Sequence, residues 1–595
     1  VDAEPRYNAR PHNMSRLSDI THRIQERVRE SMAQNENQVF IGLTFVIGAV
    51  VGLVIVAFIV VTDSLEAWLY AEGTARWRRL VTPIAGTLFV GYLLFRFFPD
   101  ARGSGVPQTK AAMFARRGLI PLQTVIGKFI ASSITLASGI ALGREGPSVQ
   151  MGAGLASTIG RGLGLSGDKL QMLIPIGAAA ALAAAFNTPL AAILFALEEI
   201  MGNLHAPILG SVVVSVFTSL FVMRLLLGNE PLFHVPAYES VHPAEFIVYA
   251  LLGIVGGLVS VFFVKLMLRM REKFLNMPRK TRWLQPAAGG VVVGVLAFAL
   301  PEIFRFGHST VGEALNGSLP LSSMVILLVL SVFATAGCYA SGNAGGIFGP
   351  SLFMGAMVGG SFGAVAHGYF PDITASPGAY ALVGMGTAFA GILRVPMVSV
   401  IMIFELTQDY AIIVPLMISN LISFFVSYKF QKTPLYEALA LQEGIHLPTS
   451  ESEKRHLQVR LAMRPPHETF SADMTVADSI ERAGHSSMRA WPVTDKNGVW
   501  GVVSLEQLEK ALDEKRSDAK VGDLLDSRTF PHLHADHSLD LALERMGKAG
   551  YDLLPVVSRA NVHEMEGVCS LLDVLRAFGV HGRQPGARDP GERRS

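Results

Sequence analysis

The sequence predicts an all-α polytopic membrane protein followed by a small soluble α/β part, and three observations carry that reading. Half of the 595 residues are hydrophobic and only 16% are charged, whereas a soluble chain carries about a quarter. Uncharged runs approaching the roughly 20 residues that cross a bilayer core as a helix recur from Val39 to Tyr428. That stretch also contains an internal repeat. Fifty Lys and Arg against 48 Asp and Glu leave a formal charge of +2, so no global field points to nucleic acid. Two cysteines, Cys338 and Cys569, provide neither a disulfide framework nor a zinc-ligand spacing. The first apolar run is too long for the core of a cleavable signal.

Taken in order, residues 1–36 are polar, and Met14 to Glu36 has the period of an amphipathic surface helix with Leu17, Ile20, Ile24 and Val28 on one face. Apolar runs follow at Val39–Thr62, Val81–Phe95, Leu170–Leu197, Ile208–Met223, Phe246–Val264, Pro286–Leu300 and Ala411–Tyr428. Between Ser318 and Pro371 no Asp, Glu, Lys or Arg occurs, yet Gly345, Gly346, Gly349, Pro350, Gly355, Gly359 and Gly360 do. Short, interrupted helices are expected there. Non-helical backbone at membrane depth survives only against protein or a polar cavity, so broken spans point to a binding site.

Ala137–Ala153 (ASGIALGREGPSVQMGA) and Ala340–Ala356 (ASGNAGGIFGPSLFMGA) share 11 of 17 residues at an offset of 203. A second pair, Phe186–Glu199 and Leu393–Leu406, aligns Pro189 with Pro396 and Glu198 with Glu405 at an offset of 207. The membrane part is therefore two related halves, with a site expected where they meet. From about Thr449 the chain turns charged, with short apolar strands. Val476–Leu512 and Leu539–Phe578 each read helix, strand, turn, strand, helix. The expected boundaries are an N-terminal segment at 1–36, a membrane part at 37–440 with halves at about 39–228 and 244–430, a linker at 441–460, soluble units at about 461–515 and 520–580, and a disordered tail at 581–595.

Three Gly-rich motifs lie in the membrane part: Gly103–Pro107 (GSGVP), Gly143–Pro147 (GREGP) and Gly345–Pro350 (GGIFGP). Glycines let the backbone turn sharply and expose N–H groups, and proline suits the first turn of a following helix. Several helix N-termini aimed at one point attract an anion without a full cation, weakly enough for turnover. Glu145, inside GREGP, is then a mimic of the anion: ionised it can occupy an anion position, and protonated it loses that attraction. Its repeat counterpart is Phe348, so the shared backbone does not demand a carboxylate. Glu198 and Glu199 end an apolar run of 28 residues, where a charge at the membrane centre costs about 2.5–3.5 kcal/mol, so both are expected nearer an edge. Glu198 has a structural twin in Glu405, whereas Glu199 aligns with Leu406 and has none. That difference makes Glu199 the proton-path candidate.

These motifs, in this order and spacing over about Val39–Ala440, resemble the CLC family of chloride channels and chloride/proton antiporters, whose signatures are GSGIP, GREGP or GKEGP, and GxFxP. The resemblance implies the CLC fold, two inverted-repeat halves with broken helices, and a homodimer with an anion pathway in each subunit. It implies that Ser104 and Tyr436 coordinate chloride through their hydroxyls, that backbone around Gly146, Ile347 and Phe348 lines the anion path, and that Glu145 is the external gate. It matches Glu199 to the internal proton-transfer glutamate of many CLC antiporters, and Lys128 to a buried lysine that raises local positive potential. A lysine snorkelling to an interface is the competing reading of Lys128. Gln108 and Lys110 depart from acidic positions found in some relatives, which puts local salt bridges there in doubt.

The soluble units resemble the paired cystathionine-beta-synthase (CBS) domains that follow many CLC membrane parts. Such pairs often bind adenine nucleotides through a Gly-apolar-apolar-Ser/Thr-x-x-Asp segment. Here Gly567, Ser570 and Asp573 fit it, while the first unit has Gln507 in place of the aspartate. Nucleotide binding and a plain dimer-stabilising module stand side by side. The function expected is voltage-sensitive chloride/proton antiport, with a passive voltage-gated chloride channel as the nearest alternative and a CBS-regulated magnesium channel as a remote one, disfavoured because the Gly-rich segments offer N–H groups rather than oxygen ligands. No required cofactor, no enzymatic activity, a bacterial plasma-membrane location and cytoplasmic termini complete the expectation.

Overall fold

Without water at hand, a long apolar segment of an α-helical membrane protein satisfies its backbone within its own helix, and the described residues of the membrane part form helices joined by turns. The computed structural model describes residues 12–578 apart from 72–74, 115, 203–207, 230–241, 301–307, 409, 444, 446–456, 467, 485, 487, 497, 526–529 and 560, with side chains from residue 38 onward. The predicted apolar face of Met14–Glu36 and the tail at 581–595 therefore lie outside the described residues. The chain divides into two units, Val1–Pro448 and Thr449–Ser595.

In the first unit the helices are α1 (His12–Leu69), α2 (Arg76–Arg96), α3 (Val106–Phe114), α4 (Leu122–Ala137), α5 (Glu145–Gly162) and α6 (Gly167–Phe186). Then come α7 (Pro189–Phe195), which runs into a π-helical turn at Ala196–Met201, α8 (Leu209–Leu227), α9 (Glu245–Leu275), α10 (Gln285–Ala299) and α11 (His308–Leu315). The unit closes with α12 (Leu321–Ala340), α13 (Phe348–Tyr369), α14 (Pro377–Leu393), α15 (Pro396–Thr407), α16 (Ile413–Phe430) and α17 (Leu435–Gln442). Seven described helices are long and apolar enough to cross a membrane, and four further apolar helices are shorter. The charge-free stretch after Ser318 differs from expectation: its flanking helices α12 and α13 are full-length, and the interruption is confined to the turn at Ser341–Ile347. The opposite holds for Leu170–Leu197, which breaks at Asn187, a residue in the left-handed region (φ 59°).

The repeat is visible as paired contacts. Gly143 and Gly346, equivalent positions, form an antiparallel bridge in which each N–H donates to the other's carbonyl at 2.8 Å. Chain directions are thus opposed where the halves meet. Glu198 accepts from the N–H of Val398 (3.0 Å) and Glu405 from those of Leu190 and Ala191 (2.8 Å each). Each twin carboxylate caps the short helix of the other half, which is favourable at a helix N-terminus. Small residues set the closest crossings: a Cβ on Gly152 or Gly177 would strike the other's carbonyl, and the equivalent Gly355 and Gly384 repeat the geometry. These crossings join α5 to α6 and α13 to α14, and α6, alanine-rich, is buried along most of its length.

The second unit contains α18 (Val459–Ala462), β1 (Phe470–Ser471), α19 (Val476–Ala483), β2 (Ala490–Asp495), β3 (Gly498–Ser504) and α20 (Leu505–Asp513), then α21 (Leu539–Ala549), β4 (Leu553–Val557), β5 (Met565–Ser570) and α22 (Leu571–Ala577). Strands β2 and β3 pair antiparallel with β1 parallel to β2, and β4 pairs antiparallel with β5. Ala490, Val502, Leu553 and Val568 form an apolar cluster joining the two modules. One feature was not legible in the motif pattern. Val459 and Ala462 pack with Leu539, Leu554 and Val574, and Arg464 bridges to Val568, so the chain enters the core of the second module before building the first.

The Nδ1 of His537 accepts from the backbone N–H of His534 (3.2 Å), which only a neutral imidazole can do. Burial, then the positive charge of Arg545, pushes His537 down to about 4 from its ordinary 6.5. A group depressed on folding stabilises the fold above its unfolded value and loses that contribution as pH falls through the folded value. Hydrogen exchange at β4 and β5 of the full chain, corrected for intrinsic rates, should therefore accelerate as pH drops from 6.5 to 4, and His537→Gln should flatten the dependence. An unchanged profile in that variant would remove His537 as its source.

Candidate functional site

The loop Gly103–Gly105 leads into α3 and is pinned from behind. Lys128, fully buried on α4, donates from Nζ to the carbonyls of Gly103 (2.5 Å) and Ala101 (3.1 Å). Its ammonium reaches no interface, so snorkelling does not describe it. Gln108 turns back to accept from the Gly105 N–H (2.9 Å), closing the loop at the start of α3. Held this way, Ser104 is completely buried and its Oγ has no hydrogen-bond partner of ordinary geometry. Leaving a buried hydroxyl unpaired costs about 1–3 kcal/mol, so the position suits a group that can hydrogen-bond to it.

Two helix N-termini converge on the same place. Helix α5 begins at Glu145 and α13 at Phe348, directly after the two strands of the Gly143–Gly346 bridge. The Glu145 carboxylate, almost completely buried, accepts from the Gly349 N–H of the opposite half (3.3 Å). First-turn N–H groups have no partner within their own helix, and here a carboxylate takes one of them. Gly146 is close-packed on the serine: a Cβ there would lie 2.7 Å from Ser104 Oγ. Ile347 is buried, and the Phe348 ring is held among Phe389, Phe186 and Phe195 with centroids at 4.4, 4.8 and 5.8 Å. The aromatic cluster fixes the first residue of α13 and so the direction of its N–H groups.

Tyr436, at the start of α17, is buried with its hydroxyl turned toward Ser104 and within electrostatic reach of Glu199, Tyr339 and Glu145. Ser104, Gly146, Glu145, Tyr436, Ile347 and Phe348 thus come from four separated segments to one buried locus. Two cavities approach it. One of about 310 Å³ is lined by Gly103, Tyr339, Arg102, Arg271 and Gln108. Another of about 440 Å³ is lined by Glu145, Arg144, Gly349, Thr335 and Asp63.

Glu199 lies on the π-helical turn after α7, buried, and forms an ion pair with Lys110 of α3 at 2.7 Å. The residue singled out as a departure is therefore its direct partner. Sequence reasoning assigned Lys110 no contact, because nothing local links positions 110 and 199. It also missed Tyr339, whose hydroxyl sits beside the backbone of Ser104; the signal was the mismatch with its repeat twin, Leu136. Arg271 pairs with Glu443 (2.5 Å), which also accepts from Gln108 (3.3 Å), tying α9 and α17 to the serine loop.

In the soluble unit, Ser570 and Asp573 cap α22 reciprocally: Ser570 Oγ accepts from the Asp573 N–H (3.2 Å), and Asp573 Oδ2 accepts from the Ser570 hydroxyl (2.7 Å) and N–H (3.3 Å). The second Asp573 oxygen pairs with Arg464 at 2.5 Å. Ser504 and Gln507 form the matching capping box on α20. A ribose at Asp573 would have to displace Arg464.

The voltage gated chloride channel family matches residues 86–428, and CBS domains match 458–514 and 521–580. The H(+)/Cl(-) exchange transporter ClcA of Vibrio campbellii is 33% identical over 408 residues, covering 66% of this chain and 87% of that protein. The Vibrio cholerae protein of the same name is 31% identical over 411 residues, covering 67% and 88%. Among solved structures, a slow cyanobacterial Cl-/H+ antiporter superposes with TM-score 0.63 at 23% identity, over 68% of this chain and 97% of that one. A eukaryotic CLC transporter does so with TM-score 0.59 at 20% identity, over 90% and 97%. The fold is the CLC fold, with a CBS pair after it.

Lys128→Met should leave the carbonyls of Ala101 and Gly103 without a donor, at about 2 kcal/mol. The expected result is a lower melting temperature in detergent, with partial rescue by Lys128→Arg. Wild-type stability in the methionine variant would show that the lysine does not hold the loop.

Proposed function

Because the chain belongs to the voltage gated chloride channel family, we propose that it is a multi-pass membrane antiporter exchanging chloride for protons. The observation that carries this reading is the buried hydroxyl of Ser104, which faces the Tyr436 hydroxyl without a hydrogen bond of ordinary geometry and is packed against Gly146, where two helix N-termini meet and the Glu145 carboxylate already occupies one of their N–H donors. Chloride and the Glu145 carboxylate are alternatives for the same donors. Chloride held by Ser104, Tyr436 and the backbone at Gly146, Ile347 and Phe348 displaces the carboxylate, and the displaced carboxylate takes a proton. Glu199 receives or releases protons on the other side of the site, and the relatives from both Vibrio species are named as exchangers of these two ions.

No cofactor is needed for this cycle, since binding uses hydroxyls, N–H groups and carboxylates only. Every residue invoked comes from one chain, which fits one pathway in each subunit of a homodimer in a bacterial plasma membrane with cytoplasmic termini. The capping boxes account for Ser570 and Asp573 without a nucleotide, and the CBS pair is read as a regulatory or dimer-stabilising module.

Purified protein in sealed liposomes under a chloride gradient, with voltage clamped near zero by potassium and valinomycin, should move protons uphill. Glu145→Gln should abolish proton movement while anion flux persists, and Glu199→Ala should do the same. Ser104→Ala should weaken chloride binding about tenfold, the equivalent of one lost hydrogen bond. Chloride flux without any proton movement in the wild type would make the protein a channel of the same fold.

A further inference from the structure

The ion pair between Lys110 and Glu199 is unusual in its surroundings. Both side chains are about nine-tenths buried, at 11% and 8% exposure, and their 2.7 Å contact joins α3, which begins directly after the Ser104 loop, to the π-helical turn that carries the proton candidate. Lys110 and Ser104 are thus placed by the same short segment. Among the described residues, the remaining titratable groups facing Glu199 are Tyr436 and Glu437 of α17 and Glu198 on its own turn. Of the other elements packed there, α6 has titratable residues only in its first turn, Asp168 and Lys169, and α7 has none.

We infer that Lys110 is a positioning residue that makes proton uptake at Glu199 a signal to the chloride site. With Glu199 ionised the pair is neutral, and the site beside it feels little. When a proton adds to a Glu199 carboxylate oxygen, Lys110 keeps its own, and a buried ammonium is left without its counterion. Tyr436, which lies within reach of Glu199, borders the chloride position, so the nearest mobile anion that can compensate the new charge is chloride. Uncompensated buried charge is strongly unfavourable, and by linkage a proton on Glu199 and a chloride at Ser104 strengthen each other's binding by one factor. A unit charge roughly 10 Å away at an effective dielectric of about 20 corresponds to about a tenfold change in affinity. The inference rests on the proposed chloride site at Ser104 and Tyr436, and it concerns a second coupling, separate from the competition at Glu145.

Glu145→Gln removes that competition, so the test is made in its background. Chloride binding to the purified full chain in detergent is measured by isothermal titration calorimetry at pH 5 and pH 7.5. Binding should be about tenfold tighter at pH 5. Adding Glu199→Gln should hold the affinity at its tight value at both pH values, because the ammonium is permanently uncompensated. Adding Lys110→Met should abolish the tight state at pH 5, because no ammonium is then left to attract chloride. Lys110→Arg should restore the pH dependence. A purely structural salt bridge would move both variants in one direction, and that result, or pH-independent chloride binding in the Glu145→Gln parent, overturns the inference alone. If Lys110→Met yields no folded protein, the Glu199→Gln arm decides by itself: retained pH dependence overturns the inference. Absence of chloride binding in every variant overturns the proposed chloride site along with it.

Discussion

A bilayer offers no water to a broken helix, so each interruption at membrane depth must find its hydrogen bonds within the protein. Much of the first unit is arranged to meet that constraint. The bridge between Gly143 and Gly346 uses the backbone of one break to satisfy the other, and Glu198 and Glu405 do the same for the short helices α15 and α7. Because the partners are equivalent positions of a repeat, each half completes the other. What the bridge does not consume are the first-turn N–H groups of α5 and α13, the donors to which the proposed chloride site is assigned. Site and fold are two uses of one set of unpaired donors.

Much of this was legible in the sequence. The offset of 203 between the GREGP and GGIFGP motifs located the seam, and the twin at Glu405 marked Glu198 as structural while leaving Glu199 over. Those inferences work because glycine, proline and buried carboxylates in a membrane segment have few roles open to them. Contacts between distant segments were not legible. Lys110 stands 89 positions from Glu199, and no periodicity connects a residue after one broken loop to a π-helical turn after another. The extent of each break was equally hidden: a charge-free run rich in Gly and Pro reads as fragmented, yet glycines at close helix crossings, such as Gly355 and Gly359, sit inside an intact α13. Gly there serves packing, and composition alone does not separate packing from turning.

The electrostatics of the site follow a consistent economy. Full cations are kept one layer away from the locus: Lys128 is turned to carbonyls behind the serine loop, Lys110 is neutralised by Glu199, and Arg271 by Glu443. The locus itself holds dipoles and hydroxyls, whose attraction for an anion is modest enough to allow release.

The strap formed by Val459–Ala462 carries a consequence for biosynthesis. Because it belongs to the core of the second CBS module, the first module is nested inside the second along the chain, like one bracket within another. During translation the first module leaves the ribosome while the strap still waits for Leu539, Leu554 and Val574, which follow roughly 80 to 115 residues after it. The soluble unit therefore closes from its C-terminal end, and a nascent chain stopped before β4 keeps the strap's apolar residues uncovered. Truncated products are thereby distinguishable from finished ones by an exposed segment that quality-control factors can bind.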